Sequence, residues 1–180
     1  MKQITDDDLH LIDGVINKLR LILKLPAIVL ELEEHPDNRY LGSYSVFDGV
    51  VHVNAKLWSS FKAAVNETDK LISFGLFVSS LAHEMRHCYQ SLYESKQYSI
   101  DMLAELNYYN DFGSIDPRTY HNLPSEIDAK AFQALIEERL FSVYLPISTD
   151  VDEEIFLKRL NELKNEYWDK IVSEFKPLYL

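Results

Sequence analysis

Two rhythms of apolar and polar positions divide this chain into elements. Leu9, Leu11, Ile12, Val15, Ile16, Leu19 and Leu23 recur at helical spacing. They predict a helix capped by Thr5, with Asp6, Asp7 and Asp8 in its first turn, and ended near Lys24 by Pro26. Residues 27–33 change to β-branched side chains and late alternation, the pattern of a strand. Two short strands follow at roughly 40–47 and 50–54, with Asp48-Gly49 between them as a two-residue hairpin turn. A short helix is expected over 55–65. Asn66 opens the longest helical pattern, to about Glu94, with the stripe Phe74, Val78, Leu81, Met85, Cys88 and Leu92. Its first half is apolar almost all round, which marks a central buried helix.

The second half of the chain reads less regularly. A shorter helix is expected over 99–106. Residues 107–124, rich in Asn, Asp, Gly, Pro and Tyr, read as a long loop, and such loops inside a compact domain are usually functional. Ser125 then caps a helix to about Tyr144, with Asp128 in the capping-box position. Thr149 or Asp150 caps a last amphipathic helix to about Phe175, a solvated helix in its simplest reading. No internal repeat or separating linker interrupts the pattern. The expectation is one domain over 1–180, of α+β class, with a small, mostly antiparallel sheet packed on the central helix.

Composition narrows the chemistry. The chain has 180 residues, 47% of them hydrophobic, enough to fill a sizeable core. A net charge of -11 argues against a nucleic-acid binder, because phosphate contacts need a basic face. One Cys excludes a disulfide framework or a Cys-rich zinc finger, and Cys88 falls on the core stripe. The N-terminus is acidic where a secretory signal would be basic, and the run 21–30 is too short to span a bilayer. A soluble, cytoplasmic protein with no membrane partner is expected, and any metal site in it must use His and carboxylates.

Within the central helix stands His83-Glu84-Met85-Arg86-His87, an H-E-x-x-H match. Residues four apart on a helix share a face, so both imidazoles can reach one metal ion. Glu84, about 100° around the helix, can accept a proton from a metal-bound water instead of ligating. A tetrahedral zinc site needs a third protein ligand. Glu126 is one candidate, because it heads the buried side of its helix, where an unpaired acid is costly. His121, five residues earlier, is the rival. Asp128 is a candidate acceptor behind a ligand imidazole, or simply a capping residue. Tyr120 and His121 are the first candidates to stabilise an oxyanion, with Tyr108 and Tyr109 next. Val50–Asn54 could offer a strand edge to an extended peptide. Glu84-x-x-His87 also fits half of a di-iron pattern, but the other half is missing; Asp7-x-x-His10 is the nearest.

The order His83-Glu84-x-x-His87 followed by Glu126-Ile127-Asp128-Ala129-Lys130-Ala131-Phe132 resembles the gluzincin metallopeptidases, most of all small intracellular zincins of the ImmA/IrrE type. Their second motif, E-x-[ED]-A-N-x-F, is matched at Glu126, Asp128, Ala129 and Phe132, and the hairpin ending Val50–Asn54 is similar to the strand ahead of their active-site helix. The likeness covers roughly 40–135. It implies a zincin-like fold and a zinc-dependent peptidase acting on a protein or peptide. It further implies His83, His87 and Glu126 as zinc ligands and Glu84 as the base that activates zinc-bound water. Arg86 stands where that family carries a small residue, and Lys130 where it carries Asn. The alternative is a catalytically inactive metal-binding or regulatory protein of the same fold, such as an accessory protein of a phage or mobile element.

Overall fold

The computed structural model describes residues 5–35, 41–112, 116–142 and 150–178, with the backbone alone for 108–112. The fold is mixed α+β and mostly helical, with one three-stranded sheet among the described residues. Helix α1 (Asp6–Leu23) starts as its sequence predicts. The Asp8 N–H donates to Thr5 Oγ1 at 3.3 Å, and the Thr5 N–H donates back to Asp8 Oδ2 at 2.9 Å.

Strands β1 (Val29–Glu33), β2 (Gly42–Ser45) and β3 (Val50–Asn54) stand in the order β1-β3-β2. β2 pairs antiparallel with β3, but β1 runs parallel to it, with Val29 opposite Val50. The sheet is therefore mixed, not mostly antiparallel. β3 holds the centre because Val51 and Val53 are fully buried, and there its backbone groups are paired on both sides. It cannot offer an edge to a peptide; the outer strands are β1 and β2. The hairpin turn also differs from expectation. Residues 46–49 form a four-residue connection in which the Gly49 N–H donates to Ser45 O at 2.9 Å. Only Gly49 takes a positive φ, 72°, whereas a two-residue type I′ turn needs it at both central positions. Asp48 instead accepts the Val50 N–H at its own carboxylate.

Helices α2 (Ala55–Ala63) and α3 (Glu67–Tyr93) follow, each begun by an Asn side chain, Asn54 and Asn66. α3 is the buried central helix, with Phe77, Val78, Leu81, Ala82, Met85 and Cys88 in the core. Most of the expected loop is helical: α4 (Ser95–Phe112) is longer than 99–106, and α5 (Pro117–His121) is a further turn. The turn-forming residues there are start signals. Asp116 accepts the Thr119 N–H, and Pro117 takes the first helical position, where its missing N–H costs nothing.

Helix α6 (Pro124–Phe141) begins one residue before Ser125, with Leu123 at its cap and no side-chain cap bond. Ser125 gives its N–H to Asp101 Oδ2 of α4 at 2.8 Å, so it caps nothing, and Asp128 is not a capping-box acid. Helix α7 (Glu153–Glu174) is capped by Asp152 instead of Asp150; Thr149 and Tyr144 lie outside the described residues. α3 packs most extensively on α6, and α6 on α7. Gly75 permits the first contact: a Cβ there would stand 1.9 Å from Phe141 Cζ. Among the described residues no helix is long and apolar enough to cross a membrane.

Candidate metal centre

One turn of α3 separates His83 from His87, and their Nε2 atoms lie 3.1 Å apart. The first turn of α6 brings Glu126 against both. Its Oε1 is 3.1 Å from His87 Nε2 and its Oε2 is 3.6 Å from His83 Nε2. Each of the three residues offers one donor atom within 4.8 Å of the others, a group that could hold a metal ion.

The two imidazoles are not supported alike. His87 Nδ1 faces Gln90 Oε1 at 2.8 Å. Gln90 Nε2 is committed to two acceptors, Ser125 O at 2.9 Å and Asp128 Oδ2 at 2.6 Å. The amide must therefore present its oxygen to the ring, so Nδ1 carries the proton and Nε2 is the atom left for the triad. His83 has no such brace: its Nδ1 is buried with no partner among the described residues.

Electrostatics tie the group together. Burial works against charge on His87, but the Glu126 carboxylate outweighs it and lifts the imidazole to about 9. Burial likewise opposes the Glu126 charge, and the two imidazoles overcome it, holding that carboxyl well below its usual range.

Glu84 occupies a different position. It is 6% exposed, has no hydrogen-bond partner among the described residues, and burial pushes its carboxyl up. It lines a pocket of about 200 Å³ together with Gly42, Tyr44, His87 and Glu126. Glycine is required at position 42, because a Cβ there would stand 2.6 Å from the backbone oxygen of His52 and 2.9 Å from Glu84 Cγ. β2 thus presses directly on the Glu84 side chain.

Of the other predicted residues, Tyr120 is brought in and His121 is not. Tyr120 Oη donates to Glu126 Oε1 at 2.8 Å, so it holds a candidate ligand. His121 Nδ1 meets Lys130 Nζ at 3.0 Å, outside the donor group. Lys130 also donates to Glu126 Oε2 at 3.1 Å, bracing the carboxylate from the other side. The side chains of Tyr108 and Tyr109 lie outside the described residues. Asp128 touches no imidazole. It receives Arg86 Nε at 2.6 Å and Nη2 at 3.1 Å, Arg159 Nε from α7 at 2.6 Å, and Gln90, reaching His87 only through that amide. Arg86 itself is 1% exposed, its guanidinium 4.3 Å from the centre of the Tyr89 ring. Cys88 is buried, as its place on the stripe implies.

Sequence reasoning missed Tyr98, which lines the pocket with its ring 5.8 Å from that of His87. It lies just outside the helix predicted at 99–106, so no signal pointed to it. Gln90 left one: it follows His87 by three residues, on the same helix face. A larger cavity of about 320 Å³, beyond Gln90 and Asp128, is lined by none of the three donors. Comparison of the chain with known protein families, with curated proteins and with solved structures finds no match.

Proposed function

We propose that this chain is a zinc-dependent peptidase with a zincin-type site, in which His83, His87 and Glu126 hold zinc and Glu84 is the base. The convergence of two imidazole nitrogens and one carboxylate beside a buried, unpartnered Glu84 carries the reading. The donor set fits that metal. Two ligands at about 2.0–2.1 Å in a tetrahedron stand about 3.3 Å apart. The two imidazole nitrogens stand 3.1 Å apart, and Glu126 faces them through different oxygens, Oε1 at 3.1 Å from His87 and Oε2 at 3.6 Å from His83; with one donor atom per residue the group lies within 4.8 Å.

Bound zinc supplies Lewis acidity, polarising a carbonyl and making water more acidic. The remaining work falls to the chain's own side chains. Glu84, free of hydrogen bonds, accepts a proton from the attacking water and delivers it to the leaving amine. Tyr120 and Lys130 hold the two oxygens of Glu126, and Gln90 fixes the tautomer of His87. Tyr98 is the pocket side chain we assign to the carbonyl oxygen as it gains charge, in place of Tyr120. The peptide backbone lies along β2, the outer strand beside the pocket.

Elemental analysis tests the site. Protein purified without chelators should carry about one zinc per chain, and His87→Ala should carry almost none. Glu84→Gln should keep the zinc and lose about 10²–10⁴-fold in peptide hydrolysis. A wild type without zinc, or a Glu84→Gln variant that still turns over, rules the reading out. The contact of Lys130 with Glu126 favours a second reading, a protein of the same fold that holds metal without turnover, because a cation on a ligand carboxylate withdraws its charge. Under that reading the zinc-loaded wild type and Glu84→Gln are equally inert.

A further inference from the structure

The walls of the small pocket carry four carboxylates: Glu84, Asp101, Glu105 and Glu126. Among the described residues no Lys or Arg lines it. Three of the four are accounted for. Glu126 is held by His87, Tyr120 and Lys130. Asp101 accepts from Gln97 Nε2 and from the Ser125 N–H, both at 2.8 Å. Glu84, more than nine-tenths buried and unpartnered, points into the pocket as the proposed base. Glu105, on the third turn of α4, remains: a half-buried carboxylate with no hydrogen bond or ion pair to any described residue.

We infer that Glu105 is a specificity-determining residue that receives a cationic side chain, Lys or Arg, of the peptide lying over the site; this rests on the peptidase reading above. A carboxylate drawn into a pocket without a counter-ion is costly, and an arriving ammonium or guanidinium removes the cost. Burial, then the neighbouring Glu126, push the Glu105 carboxyl up, and His87, already held by Glu126, offsets this only in part. The pocket, about 200 Å³, is smaller than the roughly 300–1,000 Å³ of sites for drug-sized ligands, and suits one side chain with its adjoining peptide unit. A net charge of -11 draws cationic peptides toward the chain, and Glu105 then separates the cation from Glu84, which must stay free for water.

The test uses the full chain, zinc-loaded, with Glu84→Gln to stop turnover. A fluorescein-labelled alanine-based octapeptide carrying one central Arg is titrated by anisotropy, beside the same peptide with citrulline, norleucine, Lys or Glu there. Arg should bind about tenfold or more tighter than citrulline, and Lys likewise over norleucine, the size of one hydrogen bond to a charged group. Adding Glu105→Gln should bring all five within about twofold, and adding Glu105→Lys should make the Glu peptide the best ligand. Equal binding of the five peptides, or an Arg preference that survives Glu105→Gln, overturns the inference. Incubating the wild type with the Arg peptide separates this failure from that of the reading beneath it. Selective binding without cleavage removes the peptidase and keeps the cation site; cleavage without selectivity does the reverse.

Discussion

Arg86 and Asp128 form a buried two-pronged pair, Nε to Oδ2 at 2.6 Å and Nη2 to Oδ1 at 3.1 Å, that joins the helix of both candidate imidazole ligands to the helix of Glu126. Burial opposes the charge on each partner, and each outweighs that for the other. Breaking such a pair strands a charge inside. Asp128→Ala should cost about 3–5 kcal/mol of unfolding free energy. Arg159→Ala, removing a partner that is about one-third exposed, should cost roughly 1 kcal/mol. Urea denaturation of the two variants checks the order; equal losses would show that Arg86 does not depend on Asp128.

Gln90 acts on one proton. Gln90→Met leaves the His87 ring without its acceptor and should weaken zinc binding about 10–100-fold while the fold persists. Gln90→Glu should be worse for stability, because it sets a carboxylate oxygen against Ser125 O and Asp128 Oδ2. Chelator competition gives the affinities and thermal melting the stabilities. Unchanged zinc affinity in Gln90→Met would dismiss the amide as a positioning group.

Gly75 sits beneath the Phe141 ring. In an exposed helix Gly→Ala gains about 1 kcal/mol. Here the added carbon would meet the ring at 1.9 Å, so Gly75→Ala should instead lose about 1–3 kcal/mol or more. Phe141→Leu in the same chain should recover part of that loss. A double-mutant cycle measures the coupling, and simple additivity would mean that the two residues do not meet.

Asp8 gives a pH signature far from the site. Lys62 Nζ lies 2.6 Å from its Oδ1, and that bond, with the Thr5 N–H, lowers the carboxyl to about 2 from an ordinary value near 3.8. A carboxyl depressed on folding adds stability above its unfolded value, and that stability is lost as pH falls through the folded one. The advantage of wild type over Asp8→Asn should be flat above about pH 5 and shrink between about 4 and 2. Unfolding titrations of both proteins test this; a constant gap through that window would refute it.

The parts of this molecule legible in sequence are those set by local spacing. Thr5 and Asp8, the step from His83 to His87, and Glu126 heading a buried stripe all depend on neighbours within one or two turns. What escaped depends on distant partners. Ser125 looks like a cap, but Asp101, 24 residues away, takes its N–H. Asp128 looks like a capping-box acid, but guanidinium groups 42 residues before it and 31 after it claim the carboxylate. The parallel pairing of β1 with β3 follows from which strand buries its valines, a property of the assembled core that alternation alone does not encode.

Gly75 against Phe141 and Arg86 against Asp128 together pin two antiparallel helices at two points, about 16 Å apart on α3 and about 20 Å apart on α6. One pin would leave a hinge; two leave neither sliding nor swivel. Inserting a single residue between the pins of either helix would turn one contact about 100° out of register while the other held. The lengths of these two stretches are therefore a packing constraint in their own right, set by the need to keep both contacts on one face of each helix.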